Sequence, residues 1–220
     1  MFNNLKTTVI VGLKEEYDVL KSFNVNSQIA YGPKNSEIMA KKMLKKTDIF
    51  ISFGFSASIV PYLKNGNIII PNNLVWDDCS KHSVSNIYKN KIIKKIEGLE
   101  KFTFDSTSVN KIIDSKKEKE LISKKLSVAS LDMESVAIQK VAINNNKKFV
   151  IIRVILDDLN LQIPSIIKNN TNSMGELNMK KVIVGVLTQP KNLFHIIKLS
   201  IYYLKASKKL KILASKLFIN

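Results

Sequence analysis

Five runs of β-branched and other apolar residues constrain this chain more than anything else in its sequence: residues 7–11, 48–53, 67–70, 128–131 and 149–156. Several are nearly continuous instead of alternating, the pattern of strands buried on both faces of a sheet. Helical stretches lie between them, at residues 15–21, 36–46, 116–125 and 134–144; in the second, Ile38, Met39, Met43 and Leu44 fall on one side. Strand alternating with helix predicts an α/β fold built on a mainly parallel central sheet. With 220 residues and 45% hydrophobic content, the chain can bury one sizeable core, and a single domain over residues 1–220 is expected.

Beyond Asp158 the pattern predicts a loop holding Pro164, an apolar helix around residues 180–187 ended by Pro190, and a long helix at about 192–218. That last segment spreads Leu, Ile, Phe and Tyr over a broad face, with Lys198, Lys205, Lys208, Lys209, Lys211 and Lys216 among them. Such a helix packs on the sheet by default; as a cationic amphipathic helix it could instead lie on an anionic membrane.

The formal net charge of +17 raises nucleic acid as a partner. Of the 35 basic residues, however, only Arg153 is arginine, and the lysines are scattered through a chain also crowded with Asn and Ile. That is a compositional bias more than a shaped basic face, so nucleic acid ranks last among partners. A lone arginine inside an apolar strand points to a site that needs a planar, five-donor fork, since an unpaired charge there is costly. The bland alternative is a chance remnant on a sheet face.

One cysteine, Cys79, cannot form an internal disulfide, and the first strand starts almost at the N-terminus, so a cytoplasmic location is expected. The apolar runs fall far short of the ~20 residues that span a bilayer. His82 and His195 are distant in sequence and only Cys79 could join them, which gives no metal cluster. Gly54 begins no dinucleotide or Walker pattern, and no cofactor is expected. Trp76, Asp77 and Asp78 could border a pocket or simply form a loop around one buried indole.

The segment 130–158, SLDMESVAIQKVAINNNKKFVIIRVILDD, resembles the paired DMES and R-x-I-S-D signatures of the nucleoside phosphorylase/nucleosidase superfamily. ISFGFSASIVPYLKNGNIIIP at 51–71, VIVGLKEEYDVL at 9–20 and TQPKNL at 188–193 extend the likeness over most of the chain. The short G-L-x-x-E opening and compact length are most similar to the hopanoid-associated phosphorylases. The resemblance implies a three-layer α/β fold with a mixed, twisted central sheet flanked by helices. It implies cleavage of the N-glycosidic bond of a purine nucleoside, with water or inorganic phosphate as nucleophile. In the hopanoid branch the substrate would be an adenosine linked to a lipid, with the protein peripheral at the inner face of the membrane. The rivals are a soluble methylthioadenosine or purine nucleosidase and a catalytically silent nucleoside- or membrane-binding relative. A homo-oligomer is implied as well.

Breaking an N-glycosidic bond needs an acid for the leaving base, an anchor for the sugar and a placed nucleophile. The resemblance makes Asp157, at the carboxyl end of a strand, the acid that protonates the purine. A turn or capping aspartate is the alternative, and Asp158 fits that role better. Glu134 would hold the ribose hydroxyls with Met133 against the sugar; otherwise they are a first-turn glutamate and a core methionine. Glu16 would position the nucleophile, with Glu15 its competitor by one register, and Arg153 would orient Glu16 or the nucleophile. Gly54, Phe55 and Ser56 would form a loop against the ligand. Two departures stand out: Ala57 and Ser58 replace glycines, and Leu156 replaces a serine before the acid. Both bear on whether the site is active.

Overall fold

Each long apolar run forms a strand of one mixed sheet. The computed structural model describes residues 6–161 and 191–219; the loop with Pro164, the helix expected at 180–187, Pro190 and the start of TQPKNL lie outside them. In chain order the elements are β1 (Thr7–Val11), α1 (Lys14–Lys21), β2 (Ser27–Ile29), α2 (Gly32–Met43), β3 (Ile49–Ser58), β4 (Ile68–Ile69), β5 (Asn73–Val75) and β6 (Lys81–Ser83). They continue with α3 (Asn86–Lys95), β7 (Lys101–Phe102), β8 (Ser106–Ser108), α4 (Lys116–Leu126), β9 (Ser130–Asp132), α5 (Ser135–Asn144), β10 (Lys148–Asp157) and α6 (Lys191–Phe218).

β3 and β10, ten residues each, are the spine and run parallel. The other edge of β3 is shared: β1 pairs parallel with its first half and β9 antiparallel with its end. β2 continues outward from β1, and β8, β5 and β6 continue from β9. β4, antiparallel to β10, and β7 complete the opposite side. The sheet is therefore mixed, with helices on both faces.

Alternation along the spine explains the continuous apolar runs. Val9, Ile49, Ile51, Phe53, Val150 and Ile152 pack on one side with Leu20 of α1, Ile92 of α3 and Leu210 and Leu213 of α6. Ile10, Phe50, Phe149 and Ile151 pack on the other with Ala40 of α2 and Ile138 and Ala142 of α5. Each face removes its side chains from water at roughly 25 cal/mol per Å² of apolar area, so neither can tolerate charge without partners. On the second face the apolar residues give way, towards the carboxyl ends, to Ser52, Gly54, Ser56 and Arg153.

The C-terminal half of α6 buries Ala206, Leu210, Leu213, Ala214 and Leu217, spaced along one face, and Phe218 meets Phe53 edge-on at 5.9 Å. Nearer its start, Ile197, Ile201 and Leu204 are exposed at i, i+4 and i+7. Among the described residues no helix is long and apolar enough to cross a membrane.

Candidate active site

The carboxyl ends of β1, β3, β9 and β10 meet at a pocket of about 260 Å³. Glu16, Phe55, Ser56, Met133, Glu134 and Asp157 all line it, whereas Gly54 and Arg153 do not. Tyr31, Asp132, Leu156 and Leu199 of α6 also face it.

Glu16 sits in the first turn of α1, and its carboxylate turns back over the helix start. Oε2 accepts the N–H groups of Gly12 (2.8 Å) and Leu13 (2.9 Å), and Oε1 accepts that of Phe55 (2.7 Å). The first two are orphan donors at the N-terminus of α1, so one carboxylate caps the helix and joins β1 to β3. Burial raises the Glu16 pKa, while the Arg153 charge and the three N–H donors pull it back. The residue before Phe55 must be glycine, because a Cβ at Gly54 would overlap the Glu16 carboxylate. Gly54–Ser58, expected as a loop, is the last half of β3. Extended backbone there aims the Phe55 N–H at Glu16. Ser58 Oγ donates to Val60 O within its own turn, whereas the buried Ser56 Oγ has no partner among the described residues.

Arg153 is 1% exposed. Its Nε donates to Asp132 Oδ2 (3.0 Å) and its Nη2 to Ser52 Oγ (2.7 Å) and Ser135 Oγ (2.9 Å); Glu134 Oε2 lies 3.6 Å from Nη2. Of the fork expected on Glu16, Nε and Nη2 go to Asp132 and two serines, and the buried Nη1 has no hydrogen-bond partner among the described residues. Glu16 feels the guanidinium through its field alone among the contacts described. Asp132 is the residue that sequence reasoning missed. It sits one position before Met133 in DMES, where a carboxylate ahead of a helix reads as a cap. It does cap α5, with Oδ1 accepting the Glu134 and Ser135 N–H groups at 2.9 Å each, and it holds Arg153 as well.

Glu134 Oε1 accepts the Gly32 N–H at 3.2 Å, and a Cβ at Gly12 would lie 2.8 Å from the same oxygen. Burial pushes the Glu134 pKa from the ordinary 4.5 to about 8; Asp132 and Glu16 add to the rise, and Arg153 opposes it. One guanidinium cannot neutralise three neighbouring carboxylates, so a proton is kept at Glu134.

Asp157 ends β10 beyond a register shift between Ile155 and Asp157, where Leu156 is the extra residue. A bulge of this kind re-aims the side chain that follows it. Asn65 Nδ2 stabilises the irregular backbone by donating to Leu156 O (2.7 Å) and Tyr202 O (2.9 Å), which ties the strand end to α6. Asp157 Oδ2 accepts from Lys119 Nζ of α4 at 2.6 Å. Burial raises the Asp157 pKa, and Lys119 acts against that rise. Asp158 points elsewhere and accepts from the Tyr202 hydroxyl at 3.0 Å. Trp76 stacks on His82 at 3.5 Å between ring centroids and donates Nε1–H to Gln139, away from the pocket. Among the described residues no group of His, Cys, Asp and Glu could hold a metal ion.

No family model matches the chain, and no curated protein matches it either. Solved structures do. The 5′-methylthioadenosine/S-adenosyl homocysteine nucleosidase of Campylobacter jejuni superposes with a TM-score of 0.70 at 13% identity, covering 98% of this chain and 97% of that one. The futalosine hydrolase of Helicobacter pylori strain 26695 gives 0.62 at 16% identity over 70% and 88%. A putative 5′-methylthioadenosine/S-adenosylhomocysteine nucleosidase of Borrelia burgdorferi, bound to adenine, gives 0.63 at 19% identity over 82% and 99%. At such identities the likeness concerns architecture: the chain has the α/β fold of these nucleosidases.

Proposed function

We propose that this chain hydrolyses the N-glycosidic bond of an adenine nucleoside. The observation that carries the reading is the convergence of three buried carboxylates, Glu16, Glu134 and Asp157, from different strand ends on one pocket. The fold shared with nucleosidases, one of them bound to adenine, supports it. Asp157 protonates the leaving base. Glu134, with Met133 beside it, takes the sugar hydroxyls. Glu16 is held by three N–H groups yet desolvated, so it accepts a proton from an incoming water more readily than an ordinary carboxylate would. Arg153 acts by fixing Asp132 and limiting the negative charge of the cluster. Water is favoured over phosphate as nucleophile because the Glu16 and Asp132 carboxylates would repel a phosphate dianion, while the Arg153 guanidinium is buried with Nε and Nη2 engaged and only Nη1 without a partner among the described residues.

The wall formed by Phe55, Ile112, Ile113, Leu156 and Leu199 suits an apolar 5′ substituent, either a methylthio group or a lipid. One observation favours the lipid-linked adenosine of the hopanoid-associated branch. Leu199 shares α6 with the exposed Ile197, Ile201 and Leu204, and that helix carries lysines but no acidic residue, a composition fit for a protein peripheral at an anionic membrane. An assembly of identical copies remains part of the proposal and is read by sedimentation.

Product analysis tests the reaction. Free adenine and free sugar should form at the same rate with and without phosphate, from methylthioadenosine or from a lipid-linked adenosine. A sugar 1-phosphate would overturn hydrolysis; tight nucleoside binding with no release would mark a silent relative.

A further inference from the structure

Lys119 is the only buried lysine among the described residues, with 0% exposure. Its helix explains how it comes to be inside. Lys119, Ile122 and Leu126 share the face of α4 turned to the protein, and Ile122 and Leu126 pack on the cluster around Ala57 and Leu131. Leu121, the residue an amphipathic pattern would bury, is 58% exposed instead. Apolar packing alone does not select Leu121 outward and Lys119 inward, and a desolvated ammonium persists only with a partner. The partner is Asp157 at 2.6 Å, and Lys119 Nζ also lies 3.3 Å from Asp158 O.

We propose that Lys119 is the positioning residue of Asp157 and the source of the proton that leaves with the base. This rests on the nucleosidase reading above. Its ion pair with the Lys119 ammonium draws Asp157 towards the carboxylate form against the rise that burial causes, so the proton that leaves with the base is drawn from the pair. The proton needed is the one Lys119 holds against Oδ2. As the C1′–N bond breaks, its electron pair stays on the base nitrogen. The proton passes from Lys119 Nζ to Asp157 Oδ2 and from that carboxyl to the base nitrogen, leaving a neutral amine and the carboxylate. The water that attacks C1′ gives its proton to Glu16, which passes it on to solvent, and the amine recovers one, so the cycle closes without another reactant. Lys119 also supplies the polar support that Leu156 cannot.

Several charged or titratable groups share this neighbourhood. Glu16, Tyr31, Lys111, Asp132 and Glu134 line the same pocket, Arg153 is bonded to Asp132, and Asp158 with Tyr202 of α6 lies beside the pair. Lys111 is itself paired with Glu118 of α4 at 2.9 Å. All are common to wild type and variants, so a difference between their pH profiles isolates Lys119.

The experiment measures kcat and KM for adenine release against pH in wild type, Lys119→Gln and Lys119→Arg, with a melting curve for each. In Lys119→Gln the acid must be Asp157 with a proton of its own. The basic limb of its kcat profile should therefore move to lower pH by more than one unit. Lys119→Arg keeps the charge but not a transferable proton, and should lose roughly 10²-fold in kcat with KM within a few-fold. The arginine variant retains the ion pair, so it decides the matter if the glutamine variant does not fold. A Lys119→Gln profile of unchanged shape, or an arginine variant with wild-type kcat, overturns the role of Lys119 alone. No release by wild type from any nucleoside overturns the nucleosidase reading and the proton role together.

Discussion

Arg153→Met loses about 3–5 kcal/mol of stability, the range for removing one partner of a buried ion pair. The side chain is sealed, and its Nε and Nη2 hold Asp132, Ser52 and Ser135 together with Glu134 nearby. Methionine fills much of the volume but strands the buried Asp132 carboxylate. Asp132 would lose its charged partner while still fixing the start of α5, and Glu134, without the Arg153 charge that opposes the rise in its pKa, would hold its proton more firmly. Against a typical domain stability of about 5–15 kcal/mol this is a large fraction. Arg153→Lys should recover little, because an ammonium cannot present Nε and Nη2 to three acceptors at once. Urea denaturation at pH 7 measures it. A loss below about 1 kcal/mol would mean that the cluster relaxes or hydrates freely, and the electrostatic account of the site would fail.

Glu134→Gln should raise stability at alkaline pH and flatten its pH dependence. The folded protein keeps a proton on Glu134 up to about pH 8, whereas the unfolded chain releases it near 4.5. Between those values the native state binds more protons than the unfolded state, so stability falls as pH rises, by at most about 1.4 kcal/mol per pH unit from this group. The contribution is fully present below about 4.5 and gone above about 8. Glu16 and Asp157 are raised in the same direction and leave a residual slope in the variant. Melting curves from pH 4.5 to 9 in wild type and variant test the sign. Wild-type stability that rises across this window would contradict the burial of an un-neutralised carboxylate.

The sequence made the spine of the fold legible because burial on both faces leaves a mark that polar neighbours cannot blur. β1, β3 and β10 all lie where continuous apolar runs predicted strands. Strands of two or three residues, β2 and β5 to β8, carry too few side chains to show a period, and the lysine-rich stretch that forms α3 hid its single fully buried residue, Ile92. The stretch 54–58 was expected as a loop because glycine and small residues punctuate chains. Here glycine serves a strand, by making room for a carboxylate from another element. In the site, Asp157, Glu134 and Glu16 stood out by resemblance. Asp132 did not, since capping a helix and holding an arginine leave the same letter in the sequence. Lys119 was hidden among lysines; the one local signal was its helical register with Ile122 and Leu126, set against an outward Leu121.

In the proposed reaction Asp157 delivers the proton with which a purine leaves its sugar. Adenine release by wild type and by Asp157→Asn, from the same nucleosides under the same conditions, tests it most directly. Wild type should release adenine, and the variant should lose about 10²–10⁴-fold in kcat, the usual contribution of a positioned acid, while still folded and still binding nucleoside. Release at the wild-type rate by Asp157→Asn would contradict it.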